Sequence, residues 1–142
     1  MTSKLFFILA FPMVASAATQ GGDLNIEIEN LKSGAGKVYV ALYTDPAVFP
    51  KQGKEAFAQI VESSTDRVTA VFKGVAPGKY AVAIFQDLNK NGLLDKGLFG
   101  SPKEPFGFSN DAKPRLAPPD FKDALIVHGE DAQVIKIKMQ MP

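Results

Sequence analysis

Apolar and polar residues alternate along this chain in short runs that carry little helical period. Leu24, Ile26 and Ile28 alternate with Asn25, Glu27 and Glu29, which predicts a strand with one wet face. Val38–Tyr43 follows a turn-rich Lys32–Gly36 connection, and Val68–Phe72 forms a third run. Tyr80–Phe85 is apolar at every position, so this strand is expected to be central and covered on both faces. Ala76-Pro77-Gly78-Lys79 precedes it, with proline and glycine in the order a type II turn prefers, and predicts a hairpin from Val68–Phe72. Near the end, Ala124–Val127 is expected to pair with a last strand in which Ile135, Ile137, Met139 and Met141 alternate with Lys136, Lys138 and Gln140. Ala58–Glu62 adds a seventh candidate strand, although Glu55–Ile60 suits a short helix equally well. The fold class expected is all-β, a single antiparallel β-sandwich of about seven strands.

One stretch breaks the pattern. Residues 88–123 show neither period, yet carry Phe99, Phe106, Phe108 and Phe121 with prolines at 102, 105, 114, 118 and 119. Disordered segments are poor in aromatics, so a long ordered Pro/Phe-rich loop is predicted, with some rings capping one end of the sandwich. Without disulfides, such a loop needs another staple.

A staple is offered at the loop's start. Asp87-Leu88-Asn89-Lys90-Asn91-Gly92-Leu93-Leu94-Asp95 places side-chain oxygens at positions 1, 3, 5 and 9, with glycine at position 6. That is most of the loop with which EF-hand-like proteins wrap Ca²⁺. Asp87, Asn89, Asn91, Asp95 and the Leu93 carbonyl are the expected ligands. Position 12 is Leu98 where a bidentate glutamate should close the shell, so a further oxygen is expected from Glu104, with Asp111 behind it. Asp and Asn also recur where chains simply turn, which is the competing reading of the same string. The chain has no cysteine and one histidine, which favours Ca²⁺ over zinc as the cofactor.

The N-terminus bears on compartment. Lys4, the apolar run Leu5–Val14 and Ala15-Ser16-Ala17 read as a secretory signal peptide over residues 1–17, leaving residues 18–142 as one β-sandwich domain. The run is too short for a membrane span, and the absence of cysteine precludes both a lipid-bearing cysteine and a disulfide framework. The protein is therefore expected in the periplasm or outside the cell. Losing Lys4 from 16 basic residues leaves 15 against 15 acidic ones, which argues against nucleic acid as a partner. An envelope or extracellular ligand is the expectation instead.

Catalysis has little support in the residues. His128 is the lone histidine, no G-x-S-x-G elbow occurs, and no phosphate-cradling glycine loop is present. Carboxylates such as Glu104 with Asp111 or Asp120 leave open a hydrolase, with the cation as a Lewis acid, as the alternative to a noncatalytic binding or structural module.

Three linked motifs resemble a known family. Gly78, Tyr80 and Ala81 lead into Asp87, Asn89, Asn91 and Asp95; Gly100, Pro102, Glu104 and Gly107-Phe108-Ser109-Asn110 follow; Pro119, Phe121, Asp123 and Ala124 close the pattern. This arrangement resembles the DUF2141 family of exported bacterial proteins, whose function is uncharacterised. The segment Phe72–Asp87 is also similar to transthyretin-like and carboxypeptidase-regulatory sandwiches, which implies an Ig-like or transthyretin-like arrangement of the strands.

Overall fold

The alternating runs become strands in the computed structural model, which describes residues 21–98 and 100–142. In chain order they are β1 (Leu24–Glu29), β2 (Lys37–Tyr43), β3 (Phe57–Glu62), β4 (Val68–Phe72) and β5 (Gly78–Asp87). Then come β6 (Phe106–Phe108), the short helix α1 (Phe121–Ala124), β7 (Leu125–His128) and β8 (Gln133–Lys138). One sheet has the order β4-β1-β8, and the other β3-β2-β5-β6, with β7 also paired to β5. The molecule is a β-sandwich. The signal segment expected at residues 1–17 and the ring of Phe99 lie outside the described residues.

The core sits where the two inward faces meet. Leu24, Ile26 and Ile28 of β1 face Val38, Val40 and Leu42 of β2, with Val82 and Ile84 of β5 and Ile137 of β8 filling the space between. Each such buried side chain contributes ~1.5–3 kcal/mol relative to exposure. Parity sends the intervening residues outward, so Tyr39, Ala41, Ala83 and Phe85 lie on the other face of the larger sheet.

Several connections differ from expectation. Val68–Phe72 and Tyr80–Phe85 do not form a hairpin: β4 and β5 lie in opposite sheets. The left-handed glycine between them is Gly74 (φ 57°), and Gly78 already belongs to β5. The Tyr80 hydroxyl donates to the Ala76 carbonyl at 2.6 Å and pins this crossing, as the tyrosine corner does in immunoglobulin-type sandwiches. The strand at Ala124–Val127 does not pair with the last strand either. β7 pairs β5, and β8 crosses to the other sheet to pair β1 in parallel, so the sandwich is not wholly antiparallel. The 55–60 segment enters β3 rather than a helix.

The long loop is more structured than its composition implied. β6 pairs with Ala83–Phe85, while β7 pairs with Gly78–Ala81 on the same flank of β5. The ten-residue β5 thus takes two short partners in succession, and residues 109–124 form the detour between them. Gly107 is needed for this. A Cβ there would lie 3.0 Å from an Ile137 methyl and 3.2 Å from Ile84, so a side chain would fit only if those isoleucines gave way.

Candidate functional site

Asp87 is the last residue of β5, and the chain turns immediately after it. One Asp87 carboxylate oxygen accepts from the Gly92 amide at 2.8 Å, and the other from the Asn91 amide at 3.3 Å. Gly92 has φ 76°, a left-handed backbone that glycine adopts without strain. The Asn89 side-chain oxygen accepts from the Asn91 amide, and that of Asn91 from the Leu93 amide at 3.0 Å. Both asparagine Nδ2 groups donate to the Asp95 carboxylate, that of Asn91 at 2.8 Å. Leu93 stands exposed at the tip.

Glu104 reaches the same turn from downstream. Its carboxylate accepts from the amides of Leu88 at 3.1 Å and Asp95 at 3.3 Å. Two backbone bonds hold it there: the Lys103 amide donates to the Asp95 carbonyl, and the Gln86 amide to the Pro105 carbonyl. Leu98, at the twelfth position, is fully exposed and takes no part. The structure therefore brings Asp87, Asn89, Asn91, Asp95 and Glu104 to one turn. Asp111 is elsewhere, accepting from the Lys138 amide. Among the described residues no three carboxylate or imidazole groups already form a metal cage. The remaining oxygens of the turn are amides and carbonyls.

The electrostatics of this turn are unusual. Asp87 and Glu104 are 3% and 4% exposed. Burying a carboxylate costs several kcal/mol unless hydrogen bonds or a counter-charge compensate. Amide donors supply part of that compensation. The ion pairs among the described residues lie elsewhere, at Lys37–Glu62, Arg67–Glu29 and Lys73–Asp23. No lysine or arginine of the described residues pairs with these carboxylates.

A distant residue braces the turn. Gln52 donates to the Gly92 carbonyl at 2.7 Å and accepts from the Leu94 amide at 3.3 Å. Sequence reasoning missed it, because nothing local marks a glutamine 40 positions upstream as a partner.

The glycine-phenylalanine-serine-asparagine block ties the detour together. The Ser109 hydroxyl accepts from the Val82 amide at 2.9 Å and donates to the Ala124 carbonyl. Asn110, at φ 59°, donates to the Leu125 carbonyl at 2.8 Å. Phe106, Phe108 and Phe121 are buried with Tyr43, Phe49 and Phe85. Phe49 meets Tyr43, Phe108 and Phe121 edge-on, at centroid distances of 5.2, 5.9 and 5.9 Å. The rings thus form a second core on the outer face of the larger sheet, rather than a cap at one end of the sandwich. They are placed there because Ala81, Ala83 and Phe85 of β5 face outward and pair with β7 and β6.

His128 is 2% exposed, and its two ring nitrogens face the Gln133 side chain at 3.0 Å and the Gly22 carbonyl at 2.9 Å. It fastens the start of β1 to the β7–β8 crossing. Among the described residues no helix is long and apolar enough to cross a membrane.

The family described as an uncharacterized protein conserved in bacteria, DUF2141, matches residues 26–136, which takes in both sheets, the turn after β5 and the whole detour. No curated protein and no solved structure matches the chain.

Proposed function

The chain belongs to the DUF2141 family, and from that premise we propose that it serves as an exported, noncatalytic binding module whose long loop is ordered by Ca²⁺. The cation is held by Asp87, Asn89, Asn91, the Leu93 carbonyl, Asp95 and Glu104. After loss of residues 1–17 the module works in the periplasm or outside the cell. The observation that carries this reading is the burial of Asp87 and Glu104 at one turn with no cationic side chain of the described residues paired to them.

Chemistry favours a hard cation here. Both Asp87 oxygens and Glu104 Oε2 each accept one amide and keep a second lone pair, whereas Glu104 Oε1 accepts from the amides of both Leu88 and Asn89. Ca²⁺ takes six to eight oxygens in flexible geometry, which suits a mixed set of carboxylate, amide and carbonyl donors. The two asparagines now turn their NH₂ groups towards Asp95; rotation about the terminal bond of each side chain exchanges NH₂ for oxygen. The cation thereby replaces the Asn–Asp95 hydrogen bonds with oxygen ligation. It also links the end of β5 to the segment that leads into β6.

Calorimetric titration of the purified protein with CaCl₂ tests this. A single saturable site is expected, and Asp87→Asn and Glu104→Gln each weaken it. At free Ca²⁺ a hundredfold above Kd, linkage stabilises the fold by about 2.7 kcal/mol, which raises the thermal midpoint by several degrees. No binding heat, together with an unchanged midpoint in CaCl₂ and in chelator, overturns the cation reading.

A further inference from the structure

The outer face of the larger sheet carries a trough whose shape follows from strand register. Ala58 of β3, Ala41 of β2 and Ala83 of β5 are direct cross-strand partners, so three methyl groups lie side by side. The neighbouring rung is large: Ile60, Tyr39, Phe85 and Phe106 follow one another in the same order across the sheet. Tyr39 and Phe85 stack at 4.7 Å with their planes 8° apart. Tyr43 bounds the floor on its other side. A floor of alanines between walls of rings is a linear channel one residue wide. At ~4.8 Å per strand it runs about 10 Å across the sheet.

The loops deepen it into a groove of about 630 Å³, lined on one side by Leu94 and Pro102 and on another by Arg115 and Leu116. That volume falls within the ~300–1,000 Å³ usual for small-molecule sites, which are mostly apolar with a few polar groups. Leu116 stands fully exposed at the lip. Lys96 and Arg115 line the groove, and both are absent from the ion pairs among the described residues. Glu55 is the one acidic side chain in its described lining.

We propose that this groove binds a linear amphiphile with a single anionic head, namely a medium- or long-chain acyl carboxylate. The acyl chain lies along the Ala58–Ala41–Ala83 floor between the aromatic walls, and the carboxylate meets Lys96 and Arg115. The narrow methyl floor favours a chain over a sugar, because it offers no hydrogen-bond partners to ring hydroxyls. The inference rests on the binding-module reading: the floor belongs to β2, β3 and β5 and does not need the cation, whereas Leu94, Lys96 and Pro102 come from the segment that the proposed cation orders, so binding is measured in saturating CaCl₂.

Fluorescence titration of the purified protein with cis-parinaric acid, a polyene fatty acid, tests it. Saturable enhancement is expected, displaced by palmitate. Ala41→Trp fills the floor and lowers affinity by at least about tenfold. Ala58→Trp lies on the exposed edge strand β3, where bulk does not threaten the core, and lowers it likewise. Lys96→Glu combined with Arg115→Glu weakens displacement by palmitate about tenfold while leaving displacement by hexadecanol unchanged. Three outcomes overturn the proposal: no saturable binding, unchanged affinity in folded Ala58→Trp, or equal loss of acid and alcohol on charge reversal. Groove-dependent self-association in sedimentation velocity assigns the surface to a second copy and overturns it too. Calcium binding measured in Ala58→Trp separates the two readings, because the cation turn is intact in that variant.

Discussion

The Tyr43 phenol is packed edge-on against Phe49 and donates to the Lys51 carbonyl at 3.0 Å. Burial, with a smaller contribution from the negative charge of Glu55, pushes its pKa up to about 12 from 10.0. The fold thus favours the neutral phenol. This contribution to stability is fully present below pH 10 and is lost as pH rises from 10 towards 12. Thermal melts across that interval should show a falling midpoint, and Tyr43→Phe should flatten the fall. Ser109 makes a second test at this scale. Ser109→Ala leaves the Val82 amide and the Ala124 carbonyl without a partner in a fully buried place. Each orphaned group costs about 1–3 kcal/mol, so a loss of about 2–6 kcal/mol in chemical denaturation is expected. A loss below about 1 kcal/mol would show that the serine only fills space. Residue chemistry of the candidate site was legible in the sequence, because Asp87, Asn89, Asn91 and Asp95 are spaced within a single turn and need no tertiary information. Gln52 was not, because its bonds to Gly92 and Leu94 exist only after β2 and β5 are neighbours.

Elements divide along similar lines. The runs at 24–29, 38–43, 68–72 and 135–141 show period two and became strands, the last of them shifted to Gln133–Lys138. β6 escaped notice because three residues, the middle one glycine, carry no period. Its position depends instead on the missing side chain of Gly107 against Ile84 and Ile137. Gly107→Ala should therefore destabilise by about 1–3 kcal/mol through overpacking, and Gly107→Val by more. Unfolding in urea with an unchanged midpoint would contradict the close packing of β6 on the core. Strand partners were misread at 76–79 and 129–132 for a common reason. Alternation fixes which side chains of a strand turn inward, but a hairpin and a crossing between sheets present the same inward pattern. The alanine floor was hidden in the same way. Ala41, Ala58 and Ala83 read as ordinary members of apolar strands, and only register sets them in a row.

At the scale of the whole molecule, two cores lie on opposite faces of one sheet. The inner core joins the sheets through local alternation and is independent of the loop. The outer one joins rings of β2, β5 and β6 to Phe49 and to Phe121 of the detour, and the segment leading into β6, residues 88–105, contains no strand or helix. That segment is held by the Asp87, Asn89, Asn91 and Asp95 bonds of the turn, by Glu104 and Gln52, and by a few backbone bonds. Fixing each residue costs ~1–2 kcal/mol, which these bonds at ~0.5–1.5 kcal/mol each offset only in part. In the reading proposed above, a cation at Asp87–Asp95 supplies the difference, and its removal should loosen this segment while both sheets stay folded. Hydrogen exchange, residue by residue, with saturating CaCl₂ and then with chelator, reads this directly. Protection across residues 88–105 is expected to fall at least about tenfold on chelation while β1, β2 and β5 keep theirs. Equal protection of residues 88–105 in both conditions would contradict it and leave the aromatic core as the sole fastening of the loop.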